Sequence, residues 1–252
     1  MTRLTTNATT EATAARAALE IARDLKRARE LRGVAHLALS GGSTPKRTYE
    51  LLADALEDWD GVELWFADER CVAPEDEESN YRLVAETLLG GAGIDPARVH
   101  RMEGELGAEQ GARRYADALR AHVSDENPPT SSSPTPPTPP TLPVLDMIVL
   151  GIGPDGHVAS LFPGASTLDA SEQAICLGVH DSPKPPPERI TLSLAVLRAA
   201  RRCLLLATGA GKADAIAAAL AEPSRQVPAS LLVRERLTVI VDDAASPAPV
   251  RR

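Results

Sequence analysis

The chain has 252 residues, 43% of them hydrophobic, and a formal net charge of −8. That length allows one large α/β domain or two small ones, and the acidic balance excludes ordinary binding to nucleic acid, whose phosphates demand a basic surface. Cys71, Cys176 and Cys203 form no CxxC pair, which argues against a zinc site or a disulfide framework and suits a reducing cytosol. The start of the chain lacks the basic-then-apolar pattern of a signal peptide. No apolar run reaches the roughly 18 residues needed to cross a bilayer. The expected setting is therefore cytoplasmic, with no membrane contact.

Residues Thr9 to Arg32 are rich in Ala, Glu, Arg and Leu and read as an amphipathic helix ended by Gly33. Val34 to Leu39 follows as a buried strand. Ser40-Gly41-Gly42-Ser43-Thr44-Pro45 turns the chain into a helix that reaches Leu56, with Pro45 suited to its first turn. Val62 to Ala67 is the next strand and ends in Asp68-Glu69-Arg70. Ser79 caps a helix through Leu89, and another helix runs from Ala108 to His122. Proline, serine and threonine dominate residues 124–143. Such composition cannot bury a core and favours extended polyproline conformations, so it reads as a solvated surface insertion.

The second half resumes the alternation. Leu145 to Leu150 is an apolar run read as a buried strand. Ala174 to Val179 and Arg202 to Ala207 are further strands. Gly209-Ala210-Gly211-Lys212 leads into a helix to Leu220, and Leu237 to Val241 closes as a strand. Strands alternating with helices predict a mainly parallel sheet covered on both faces. The expectation is a single α/β domain over 1–252, interrupted by the proline-rich insertion.

Two turns carry chemistry. The first, 40–45, joins a strand to a helix, where glycines let the backbone approach an anion and free N–H groups point at it. Gly42, Ser43 and Thr44 are its candidate phosphate donors, against the plainer reading of a tight turn with a cap. The second, Gly151-Ile152-Gly153-Pro154-Asp155-Gly156-His157, presents a carboxylate and an imidazole two residues apart. Open α/β sheets bind ligands at the carboxyl ends of their strands, and a histidine there can do acid–base work near pH 7. This turn formally matches GxGxxG, but Asp155 would face a pyrophosphate, and Pro163-Gly164 limits any following helix to two turns. Gly211-Lys212 is no Walker A motif, because Leu206 stands at the earlier glycine and Ala213 replaces the Ser/Thr. Arg70 sits at a strand end, free to stabilise charge or to pair with Asp68 or Glu69. Arg189 and Lys212 are ordinary surface cations unless the fold brings them to the turns.

Together with Phe66-Ala67-Asp68-Glu69-Arg70, Ser79-Asn80-Tyr81, His157-Val158-Ala159-Ser160-Leu161-Phe162-Pro163 and Pro187-Glu188-Arg189-Ile190-Thr191-Leu192, these turns occur in the order found in 6-phosphogluconolactonases. The chain resembles that family from Ala35 to Asp242, apart from the insertion. The resemblance implies a modified Rossmann-like sheet shared with glucosamine-6-phosphate deaminases and ribose-5-phosphate isomerases. It implies hydrolysis of 6-phospho-D-glucono-1,5-lactone to 6-phosphogluconate in the oxidative pentose phosphate pathway. His157 would be the general base, Asp155 its partner, and Arg70 a stabiliser of charge. Gly42, Ser43, Thr44 and Lys212, with Arg189 and Asp68 nearby, would hold the substrate. The expected partner is a small sugar-phosphate lactone, with no metal and no organic cofactor, in a monomer or weak homodimer.

Two rival readings stand beside this one. An amino-sugar-phosphate deaminase of the same superfamily would resemble this chain except for Phe-Asn-Glu-Pro after His-x-Ala, where Ser160-Leu161-Phe162-Pro163 stands here. A non-catalytic sugar-phosphate sensor would carry a basic helix-turn-helix, and no segment reads as one.

Overall fold

The computed structural model describes residues 2–123 and 142–247. The proline-rich segment therefore lies outside the described residues except for its last two positions. Leu142 packs on the core and Pro143 is buried.

The chain begins with strand β1 (Arg3–Asn7) and helix α1 (Thr10–Arg32). Thr9 caps α1 by accepting from Ala12 N, and Gly33 ends it at φ +77, a left-handed conformation that glycine adopts without cost. Strand β2 (Ala35–Leu39), helix α2 (Ser43–Ala55), strand β3 (Val62–Phe66) and the short strand β4 (Asp68–Arg70) follow. Helix α3 (Asn80–Val84) widens into a π turn over Ala85–Leu89 and runs into α4 (Gly90–Ala92). After α5 (Ala108–His122) come strands β5 (Met147–Gly151), β6 (Cys176–Val179) and β7 (Arg189–Leu192). Helix α6 (Leu194–Ala199), strand β8 (Cys203–Ala207), helix α7 (Ala213–Leu220) and strand β9 (Leu237–Asp242) complete the order.

Six strands form a sheet in the order β1-β9-β8-β5-β2-β3, every pair parallel. The central strands are mostly apolar, and β2, β8 and β9 are buried at every position, as a sheet covered on both faces requires. From β2 the chain moves outward to β3, whereas β5 and β8 lie on its other side. The order reverses between β2 and β5, which opens a crevice beyond their carboxyl ends. The two glycine turns are the segments that leave those two strands.

The expected mainly parallel sheet is present, and three features go beyond the sequence reading. Strands β4, β7 and β6 form a separate antiparallel sheet beside it. Strand β1 was not foreseen, because Arg-Leu-Thr-Thr-Asn has no apolar alternation and is held by backbone pairing to β9. No helix follows His157. Instead, Val158 and Leu161 pair in a tight antiparallel bridge that turns the chain back.

Candidate active site

The crevice between β2 and β5 is a cleft of about 260 Å³. It is lined by the turn after β2, by Asp68 and Arg70 of β4, by Asn80 of α3, by the turn after β5, and by Lys184, Arg189 and Lys212. Eight of the nine residues expected at the site line it, and the ninth, Asp155, stands behind His157.

On one side, Tyr49 of α2 pins the start of the first turn. Its hydroxyl donates to Ser40 O at 2.7 Å and accepts from Ser40 N at 3.1 Å. Gly41 packs so tightly on Asn80 that any Cβ there would overlap the amide oxygen. Gly42, at φ +108, opens α2 with no side-chain cap and no acidic residue in the first turn. The N-terminus of a 13-residue helix thus meets the cleft with its N–H groups and dipole uncompensated, an arrangement suited to an anion. Thr44 Oγ1 lies 3.4 Å from Thr208 Oγ1, and Lys212 Nζ donates to Ile152 O at 2.7 Å. Burial, with Lys184 nearby, lowers the Lys212 pKa from its ordinary value.

On the other side, Gly156 at φ +82 lets the chain return so that Asp155 Oδ1 meets His157 Nδ1 at 2.5 Å. Gly153 N closes the same turn on His157 O at 3.0 Å, and a Cβ at Gly153 would strike both side chains. Burial opposes ionisation of Asp155, but the hydrogen bond and charge of His157, with Lys184, outweigh it and hold the carboxyl below its usual range. An ionised carboxylate only accepts, so Nδ1 carries the proton and Nε2 keeps its lone pair. Burial also pushes the His157 pKa down, against the pull of Asp155, and leaves a neutral imidazole at pH 7. Phe162 packs its ring 4.7 Å from that of His157. Ala159 lines the cleft at φ +48, a strained conformation for a residue with a Cβ.

The Asp-Glu-Arg triplet divides its work. Glu69 is a buried cap for α3, accepting from Asn80 N at 2.7 Å, Tyr81 N at 2.8 Å and Ser79 Oγ at 3.1 Å. Asp68 accepts from Ser160 Oγ at 2.7 Å and Asn80 Nδ2 at 3.2 Å. The Arg70 backbone N–H donates to Glu69 Oε1 at 2.7 Å, but its guanidinium pairs with neither acid. It reaches Glu78, bonding its carbonyl and lying 3.5 Å from its carboxylate. Its buried Nε has no partner, and neither does the Oγ of Ser40, so two donors on cleft-lining residues are unmet. Arg189 is nearly buried and donates through Nε and Nη2 to three successive carbonyls, Pro186, Lys184 and Pro185, each at 3.1 Å.

Sequence reasoning missed Lys184, Asn80, Ser160 and Thr208. Thr208 was the most accessible, since it directly follows a central strand. Lys184 sits in Ser182-Pro183-Lys184-Pro185-Pro186, where proline richness resembles a plain surface loop.

A family model described as glucosamine-6-phosphate isomerases/6-phosphogluconolactonase matches residues 8–241. A 6-phosphogluconolactonase of Streptomyces coelicolor is 38% identical over 227 residues, covering 85% of this chain and 82% of its own. A solved 6-phosphogluconolactonase of Shewanella baltica is 30% identical with a TM-score of 0.77, covering 96% of this chain and 97% of that one. A monomeric glucosamine-6-phosphate deaminase reaches the same TM-score at 22% identity, covering 96% and 98%, so the fold extends to a different chemistry.

Proposed function

Because the chain belongs to the glucosamine-6-phosphate isomerase/6-phosphogluconolactonase family, we propose that it hydrolyses 6-phospho-D-glucono-1,5-lactone to 6-phospho-D-gluconate, within the oxidative pentose phosphate pathway, by histidine-assisted attack of water. The observation that carries this reading is the pairing of a neutral, carboxylate-oriented imidazole with an uncapped helix N-terminus in one cleft.

A lactone is an ester, so water must lose a proton and the carbonyl oxygen must accept charge. His157 Nε2 takes the proton as water attacks the lactone carbon, and Asp155 holds Nδ1 and stabilises the imidazolium. The tetrahedral intermediate collapses by breaking the bond to the ring oxygen, and the imidazolium returns its proton to that oxygen. Water adds across the C–O bond, with no redox change. Arg70, through its unpartnered Nε, and turn N–H groups stabilise the oxyanion. The α2 N-terminus, Ser43, Thr44 and Lys212 hold the 6-phosphate. Phosphate binding fixes the lactone against the base, which is how a remote group contributes to rate.

The deaminase reading is disfavoured by Phe162. An apolar ring against His157 stands where the resemblance to that branch calls for a carboxylate. Purified protein is expected to consume lactone generated in situ faster than the spontaneous rate, and to release no ammonia from glucosamine 6-phosphate. Ammonia release without lactone turnover would reverse the assignment.

A further inference from the structure

We propose that Lys184 is a second catalytic cation that joins Arg70 in meeting the lactone oxygen as it becomes negative, and that Arg189 is a positioning residue that fixes Lys184 rather than a ligand of the phosphate. This rests on the lactonase reading above.

The argument begins with what each cation of the cleft already holds. Arg70 is tied to Glu78 through Nη1 and keeps its Nε unmatched, while Lys212 is tied to Ile152 O and Arg189 to the three carbonyls of 184–186. The Lys184 ammonium, among the described residues, makes only a 4.0 Å approach to Asp155 Oδ1. That oxygen is the one bonded to His157 Nδ1. A half-exposed ammonium, lining the cleft beside the base and with its donors open, stands where charge develops when water attacks.

The backbone beneath it is fixed. Lys184 O accepts from Ser182 Oγ at 2.8 Å as well as from Arg189, and Lys184 N donates to Ser182 Oγ at 3.3 Å. Prolines on both sides remove further freedom. Arg189 also stands over the Phe162 ring at 5.8 Å, and Phe162 packs on His157. One buried guanidinium thus braces both the loop carrying Lys184 and the ring flanking the base. Its planar fork fits this task, and a lysine cannot reproduce it.

The test compares Lys184→Met, Arg189→Lys and the double variant in the full-length enzyme. Turnover of the phosphorylated lactone is corrected for spontaneous hydrolysis, and inorganic phosphate serves as a competitive inhibitor. Either single variant is expected to lower kcat by about 10–10²-fold while the phosphate inhibition constant stays within about twofold, because the α2 start, Ser43, Thr44 and Lys212 hold the phosphate. The double variant is expected to match Lys184→Met, because Arg189 acts through Lys184. The groups facing His157 are Asp155, Lys184 and Asp68. Losing the ammonium should therefore move the acid limb of kcat/KM to higher pH in Lys184→Met, and its displacement should give a smaller shift in the same direction in Arg189→Lys. Should Arg189→Lys fail to fold, Ser182→Ala loosens the same loop and carries the same expectation. An unchanged kcat in Lys184→Met, a phosphate constant raised in either variant, or multiplying losses in the double variant would overturn the proposal. A wild-type enzyme without lactone turnover would instead overturn the functional reading on which it rests.

Discussion

The two ends of the parallel sheet are built on opposite principles. At the amino ends of the strands, charges are matched. Glu20 of α1 is 3% exposed and lies 2.7 Å from Arg16, 2.5 Å from Arg23, 2.9 Å from Arg202 and 3.3 Å from Arg3. Burial opposes its ionisation, but the surrounding arginines outweigh that and hold its carboxyl below the usual range. Asp146 accepts from His36 N at 2.8 Å and pairs with Arg32 and Arg201. At the carboxyl ends, the cleft collects four cations against Asp68 and Asp155, with an uncapped helix, two unmet donors and a strained alanine. Buried carboxylates are offset by arginines at one end, while at the other a surplus of cations and a bare helix start face an open cleft.

Breaking the cleft should cost rate and leave the fold. His157→Ala is expected to lower kcat by about 10²–10⁴-fold, the contribution of a positioned general base. Its melting temperature should stay near wild type, and 6-phosphogluconate should still raise it. A well-folded variant with near-normal kcat would remove His157 from the mechanism.

Breaking the opposite end should do the reverse. Glu20→Ala removes a buried carboxylate shared by Arg16, Arg23 and Arg202, of which Arg202 keeps Asp24, and should lower unfolding free energy by roughly 1–3 kcal/mol. Denaturant titration reads that loss, and kcat of the remaining folded enzyme should be unchanged. A fall in kcat with normal stability would mean the two ends are coupled.

A similar effect separates binding from chemistry within the cleft. Lys212→Ala removes one charge-assisted contact, worth about 1.5–3 kcal/mol. It should weaken the phosphorylated lactone far more than unphosphorylated gluconolactone. Equal losses on both substrates would assign Lys212 to structure.

The smallest effect lies at the sheet edge. His36 and His100 pack around Trp65, His100 stacked on the indole at 4.0 Å and His36 accepting from its Nε1 at 3.1 Å. Burial lowers the pKa of both, against the pull of Asp146 and Glu63 on His36 and of Glu63 on His100. The neutral forms are therefore favoured in the fold. Their contribution to stability is present above the unfolded value of about 6.5 and is lost as pH falls through the depressed folded values. Melting temperature should drop by a few degrees between pH 7 and 5, and His100→Gln should flatten that slope. An identical slope in the variant would place the effect elsewhere.

The parallel sheet and the turns that flank its crevice were legible because buried strands and glycine turns are written in local sequence. Helix α5 begins and ends at the expected residues, and Thr9, Gly33 and Ser79 serve as foreseen signals. The small antiparallel sheet was not legible, since β4 has three residues and β7 emerges from a proline run, and neither carries a periodic pattern of its own. Gathering Asp155, His157, Arg70 and Lys212 was foreseen through family motifs rather than through spacing. The actual partners of Arg70 and Arg189 were not, although they lie only three to eight residues away, because the loops that fold back on them carry no periodic pattern.

Strand β1 has a consequence for the order of assembly. It pairs only with β9, Arg3 opposite Thr238 and Asn7 opposite Asp242. The Asp242 carboxylate then accepts from Thr10 Oγ1 at 2.9 Å and from Gly209 N at 3.0 Å, at the turn that leads to Lys212. During synthesis β1 must wait without this sheet partner until β9 has been made. Contacts of such sequence separation are slow to form, because chain closure comes before any stabilisation. The Asp242 carboxylate therefore ties the turn bearing Lys212 to a strand pairing of long sequence separation, so loss of the β1 pairing should reach the cleft through that turn.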